Sequence, residues 1–228
     1  MNKTELTPQA LAQMIDQTLL KPYATLPQFE SFCKEAHEYN FKMVAINSAM
    51  TRICKEFLKN SPVLVGAAIG FPLGQTTIAD KVFETRNAIL EGADEIDYVV
   101  NLVALKSGDL ALVEREMQEI VEVCRRYNRT SKVIFENCYL TDDEKKTLCE
   151  IALKVQPDFI KTSTGFGTGS ATVEDVRLMK QMVGDKIGIK AAGGMRTLED
   201  VLRMIEAGAT RIGTSAGVKI VDELKARQ

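Results

Sequence analysis

Apolar and polar positions along the chain alternate between two periods. Short runs with period two are followed by longer stretches whose apolar positions recur every three or four residues. The runs are Asp16 to Leu20, Met43 to Asn47, Leu64 to Phe71, Glu95 to Asn101, Lys132 to Asn137, Phe159 to Ser163, Ile187 to Ala192 and Arg211 to Ser215. Helical spacing fills 26–40, 49–60, 76–92, 109–127, 141–155, 173–183, 198–207 and 218–226. An extra helix precedes the first strand, opened by Thr7 as cap and Pro8 at the first helical position. Strands regularly alternating with helices imply a parallel sheet joined by right-handed crossovers. Eight such units in 228 residues fit a (β/α)8 TIM barrel with an extra N-terminal helix better than an open doubly wound sheet. With no linker-like segment in the sequence, residues 1–228 read as a single domain.

Alternation within each strand sorts its side chains into a set facing the helices and a set facing the barrel interior, and the apolar set belongs with the helices. In Glu95-Ile96-Asp97-Tyr98-Val99-Val100-Asn101, this leaves Glu95, Asp97, Val99 and Asn101 inside. Lys161 and Lys190 also point inward, as do Asp16, Thr18, Ala45, Asn47, Gly213 and Ser215. The barrel mouth therefore collects two lysines and at least two carboxylates from strands far apart in sequence. Catalytic groups of such barrels lie at the C-terminal ends of the strands.

A buried lysine is costly, so its presence needs a partner or a use. Two lysines in one enclosed site repel, and burial also disfavours charge, so one of them loses its proton easily. A neutral lysine amine attacks carbonyls, and the resulting iminium withdraws electrons from an adjacent breaking C–C bond. In this reading Lys161 is the nucleophile, Asp97 shuttles protons and Lys190 stays charged. The alternative is a buried Lys–Asp salt bridge without chemistry. Gly193-Gly194 and Gly213-Thr214-Ser215-Ala216-Gly217 follow strands seven and eight, where barrels often bind phosphate through backbone N–H groups. Taken separately those glycines could equally serve tight turns alone, but their joint placement after strands seven and eight favours phosphate.

Composition narrows the field. A net charge of −2 offers no basic footprint, so nucleic acid and anionic membrane are poor partners and small molecules better ones. The N-terminus lacks a signal-peptide core and no apolar run is long enough to span a bilayer, which reads as cytoplasmic. Five widely spaced cysteines give neither a disulfide framework nor a zinc knuckle. The single histidine, His37, is too few for a zinc-dependent aldolase. Gly213 to Gly217 matches a G-x-S-x-G elbow, but no histidine follows it, which excludes a serine hydrolase of that type. Gly165-Phe166-Gly167-Thr168-Gly169-Ser170 lacks the last glycine of a dinucleotide fingerprint. No metal and no cofactor is expected.

Six blocks together carry a family resemblance: Ile15 to Pro22, Gly70 to Gly74, Glu95 to Asp97, Asp158 to Phe166, Gly188 to Thr197 and Arg211 to Gly217. Over nearly its whole length the sequence resembles the class I deoxyribose-phosphate aldolases. The resemblance implies cleavage of 2-deoxy-D-ribose 5-phosphate to D-glyceraldehyde 3-phosphate and acetaldehyde, with Lys161 as Schiff-base lysine and Lys190 and Asp97 as the proton-transfer pair. It puts phosphate contacts on Gly165, Gly193, Gly194, Gly213 and Ser215, with Asp16 and Thr18 also binding substrate. Gln17, Ala45, Ser48 and Asn137 depart from the family pattern, which usually has histidine, cysteine, proline and threonine there. Another phosphosugar aldolase or isomerase, or a barrel that only binds sugar phosphates, are the rival readings. The partners expected are a phosphosugar and an aldehyde, and a homo-oligomer is compatible with the sequence.

Overall fold

Eight parallel strands close on themselves in sequence order, β1 pairing with both β2 and β8, in a computed structural model that describes residues 6–227. Residues 1–5, part of the N-terminal stretch read above as lacking a signal sequence, and residue 228 lie outside the described residues. The strands are β1 (Ile15–Leu19), β2 (Met43–Asn47), β3 (Leu64–Ile69), β4 (Glu95–Val99), β5 (Thr130–Ile134), β6 (Phe159–Lys161), β7 (Gly188–Ala192) and β8 (Arg211–Thr214). Around them run α1 (Pro8–Ala12), α2 (Leu26–Glu38), α3 (Thr51–Phe57), α4 (Ile78–Leu90), α5 (Leu102–Lys106), α6 (Leu110–Arg126), α7 (Asp142–Val155), α8 (Val173–Val183), α9 (Leu198–Ala207) and α10 (Gly217–Lys225). Among the described residues no helix is long and apolar enough to cross a membrane.

The helices start where short hydroxyl side chains satisfy the first free amides. Thr7, Thr77, Thr141, Thr172 and Thr197 each accept from the backbone N–H three residues on. Each such cap stabilises by about 1 kcal/mol, so the eight-unit alternation is punctuated locally before any barrel contact forms. The apolar strand positions pack outward against the helices in one continuous core that includes Ile96, Tyr98, Val133, Ile160, Ile189 and Ile212.

Several boundaries differ from the pattern reading, and three of them have a local reason in the site's surroundings. The extra N-terminal helix stops at Ala12, because Ile15 already pairs with Ile212 of β8. Strand β4 ends at Val99 rather than Asn101, because the Asn101 side chain caps the short, unforeseen helix α5 by accepting from Ala104 N–H. Strand β6 ends at Lys161, since the next turns are organised by side chains rather than by the sheet.

The exit of β4 is held by a fully buried ion pair. Lys81 Nζ donates to Val99 C=O at 2.8 Å and to Glu116 Oε1 at 2.6 Å, while Glu116 Oε2 accepts from Asn101 N–H at 2.9 Å. The pair thus satisfies two backbone groups that the ladder no longer reaches. Removing one partner strands the other charge, so Lys81→Ala is expected to cost about 3–5 kcal/mol. In urea unfolding, the double variant Lys81→Met/Glu116→Leu should recover only part of that loss, because Val99 C=O and Asn101 N–H then lose their partners.

Candidate active site

Register decides which strand residues meet on the inner face. Lys161 pairs with Lys190 across β6 and β7, Asp97 with Lys132 across β4 and β5, and Asp16 with Gly213 across β1 and β8. All five of those polar side chains therefore enter the interior, and their charged ends converge. Asp97 Oδ2 accepts from Lys161 Nζ at 2.9 Å and from Lys190 Nζ at 2.7 Å. Asp97 Oδ1 accepts from Lys132 Nζ at 2.7 Å. Lys190 Nζ also lies 2.6 Å from Asp16 Oδ2. Gly213 leaves the space for this arrangement, since a Cβ there would sit 3.2 Å from Lys190 Cε and 3.0 Å from Ala192 Cβ.

Above this cluster opens a cavity of about 690 Å³. Lys161 reaches its floor, and Thr18, Gly165, Gly193, Gly194, Gly213 and Ser215 line its wall. Asp16 does not line it, contrary to its expected place against substrate. Its carboxylate is fully buried and taken up by Lys190 and by Arg211 Nη1 at 2.8 Å. Asp97 and Lys190 likewise sit beneath the floor, so Lys161 is the one lysine of the cluster open to a ligand.

The loops that shape the wall are set by side chains of the barrel ends. Gly193 and Gly194 adopt φ of 81° and 79°, a left-handed pair that residues with a Cβ rarely adopt. Glu136, itself in the left-handed region, accepts from Thr164 N–H at 3.0 Å and from the Thr164 hydroxyl, and that hydroxyl in turn accepts from Phe166 N–H at 3.0 Å. The turn after Lys161 is thereby fixed from β5. Of the four departures from the family pattern only Gln17 lines the cavity, and its Oε1 is engaged by Gly217 N–H at 3.1 Å. Ser48 donates to Glu84 at 2.6 Å and Asn137 Nδ2 faces Met179 Sδ at 3.4 Å, so both serve the scaffold.

The electrostatics separate the lysines. Burial pushes the Lys161 ammonium down to about 8; the nearby Asp97 opposes this, and Lys190 and Lys132 add to it. Burial works the same way on Lys132, but Asp97 and Glu95 outweigh it and hold that ammonium above its usual range. Asp97 would be raised by burial, yet Lys132, Lys161 and Lys190 keep it well below the ordinary carboxylate range. Near neutral pH the site thus offers an anion fixed among cations and one amine that gives up its proton with little cost.

Three members of the cluster escaped the sequence reading as chemistry: Lys132, Arg211 and, though placed inside, Glu95. Lys132 Nζ lies 2.5 Å from Glu95 Oε2, and Arg211 Nη1 lies 3.0 Å from the same carboxylate. The signal was present. Lys132 alternates with Val133 and Phe135, whose apolar side chains belong with the helices, and Arg211 shares parity with the inward Gly213.

Comparison with known proteins agrees with this geometry. Residues 10–222 match the model of the DeoC/LacD family aldolases. The chain belongs to that family. A deoxyribose-phosphate aldolase of Lactobacillus acidophilus is 56% identical over 95% of this chain and 91% of its own. One from Thermococcus kodakarensis is 52% identical over 97% of this chain and 98% of its own. Among solved structures, the tetrameric deoxyribose phosphate aldolase of Aeropyrum pernix superposes with a TM-score of 0.90 at 31% identity, covering 97% of this chain and 94% of that one. As a DeoC/LacD aldolase, this barrel is a lyase.

Proposed function

We propose that this aldolase cleaves 2-deoxy-D-ribose 5-phosphate reversibly to D-glyceraldehyde 3-phosphate and acetaldehyde, with residues 1–228 acting as one catalytic domain. The observation that carries the residue roles is Lys161 on the cavity floor, its ammonium lowered to about 8 by burial. The relatives from Lactobacillus acidophilus and Thermococcus kodakarensis, at 56% and 52% identity, are deoxyribose-phosphate aldolases, which supports the substrate.

In the proposed cycle the Lys161 lone pair attacks C1 of the open-chain sugar, and loss of water gives an iminium. The C3 hydroxyl proton passes through water to the Asp97–Lys190 pair while the C2–C3 bonding electrons form a C1=C2 bond and the C1=N π pair moves onto the nitrogen. Glyceraldehyde 3-phosphate leaves, and an enamine remains on Lys161. Protonation of that enamine at C2 and hydrolysis release acetaldehyde and restore the amine. Because Asp97 is held so far toward its anionic form, it aligns the two lysines, and the pair rather than the carboxylate alone carries the proton.

The phosphate is assigned to Gly165, Gly193, Gly194, Gly213 and Ser215, with Thr18 alongside the sugar. The amides of Ala216 and Gly217 are paired with Thr214 Oγ1 and Gln17 Oε1. The role of Asp16 is moved from substrate contact to the support of Lys190. A homo-oligomer fits the same reading, since the Aeropyrum pernix relative is tetrameric.

Borohydride reduction in the presence of acetaldehyde tests the assignment. Peptide mass should place a two-carbon adduct on Lys161. An adduct on Lys190 instead, or none on either, would overturn it.

A further inference from the structure

Asp97, Lys132, Glu95, Arg211, Asp16 and Lys190 form a closed ring. Going round it, Asp97 Oδ1 meets Lys132 at 2.7 Å, and Lys132 meets Glu95 at 2.5 Å. Glu95 then meets Arg211 at 3.0 Å, Arg211 meets Asp16 at 2.8 Å, Asp16 meets Lys190 at 2.6 Å, and Lys190 returns to Asp97 Oδ2 at 2.7 Å. Signs alternate at every step, three carboxylates against three cations, and five strands supply the members. The guanidinium of Arg211 is seated on the Phe159 ring, 5.0 Å from its centroid, and Lys132 is fully buried. Lys161, from the sixth strand involved, hangs from Asp97 Oδ2 as the seventh charged group, and nothing in the ring is left to balance it.

Resting on the reading of Lys161 as the Schiff-base lysine, we propose that Lys132, Glu95 and Arg211 are positioning residues of this aldolase: by closing a charge-neutral ring below Asp97, they make Lys161 the amine without a counter-charge. None of the three lines the cavity, so none touches substrate. They act through Asp97. Lys132 occupies Oδ1 and turns Oδ2 toward the two upper lysines, and Arg211 shares the charge of Glu95, so that Lys132 stays bound to Asp97 as well as to Glu95. The groups facing Lys161 are thus Asp97 from β4, Lys132 from β5 and Lys190 from β7, with Glu95, Arg211 and Asp16 one step behind.

The arrangement makes a prediction that ordinary structural support does not: neutralising a cation and neutralising an anion of the ring should move Lys161 in opposite directions. Lys132→Met leaves the carboxylates in excess, which favours a proton on Lys161. Glu95→Gln leaves the cations in excess, which favours its loss. The readout is the pH dependence of the rate at which Lys161 captures acetaldehyde under cyanoborohydride, with the site checked by peptide mass. The acid limb is expected to move up by about one pH unit in Lys132→Met and down by about one in Glu95→Gln, the scale on which close charges shift a buried group. The double variant, again neutral, should return near the unsubstituted protein. Shifts in the same direction, or no shift while Lys161 is still labelled, would overturn the proposal. If Lys132→Met does not fold, Glu95→Gln decides alone, and only a downward shift supports the ring. Absence of any adduct in the unsubstituted protein would be a failure of the Schiff-base reading itself, seen before a variant is made.

Discussion

Lys161→Met is expected to abolish turnover and at the same time stabilise the protein. Without its nucleophile a covalent catalyst keeps only binding and the surrounding electrostatics, and kcat/KM should fall by at least about 10⁴-fold. The gain in stability follows from linkage. Lys161 is about 8 in the fold and near its ordinary value of 10.5 when unfolded, so below pH 8 the folded state carries a proton it holds poorly. That penalty is fully present at pH 7 and fades as pH rises from about 8 toward the unfolded value. Methionine fills much of the same volume without the charge, and the ring beneath stays neutral. The expected gain at pH 7 is on the order of 1–3 kcal/mol, and it should shrink in urea titrations above pH 8. A variant that is inactive and also less stable at pH 7 would show that Lys161 is not an uncompensated charge.

Asp97→Asn is expected to damage both properties. Asp97 is the common acceptor of Lys132, Lys161 and Lys190, and an amide cannot hold three ammonium groups together. Stranding buried cations costs about 3–5 kcal/mol. Loss of the aligned proton-transfer pair should lower kcat by roughly 10²–10⁴-fold, with a smaller change in KM, because the carboxylate lies below the cavity rather than against the substrate. The pH dependence has a definite sign. A carboxylate whose folded value lies below its unfolded one stabilises above the unfolded value, about 4, and that contribution is lost as pH falls through the folded one. The gap in stability between the two proteins should therefore be constant from pH 5 to 7 and close in acid. Unfolding midpoints measured from pH 7 down to 2 check this.

Set side by side, the two substitutions separate roles that a shared location hides. Both groups are buried and both belong to one hydrogen-bonded cluster, but burial works against the charge of the lysine while the carboxylate holds three ammonium groups in place.

Much of this was legible in the chain itself. Period-two runs followed by helical spacing, closed off by threonine caps, required eight βα units, because a strand with one apolar parity and a helix with one apolar stripe can bury both only against each other. The same parity sent Lys161, Lys190, Asp97 and Asp16 inward from local sequence alone. What parity could not supply was height and partner. Whether an inward side chain meets the cavity or lies under its floor depends on the stagger between strands, which tilt and closure of the barrel fix, and this moved Asp16 from the wall to the foundation. Partners depend on register across strands as distant as β1 and β8. Arg211 and Lys132 therefore had no assigned role until pairing put Glu95 between them. The turn held by Glu136 was out of reach for the same reason: its two bonds to Thr164 join residues that are distant in sequence and become neighbours only when β5 lies beside β6. Local pattern determined the barrel and the residue types inside it, and only closure of the barrel decided which charges touch.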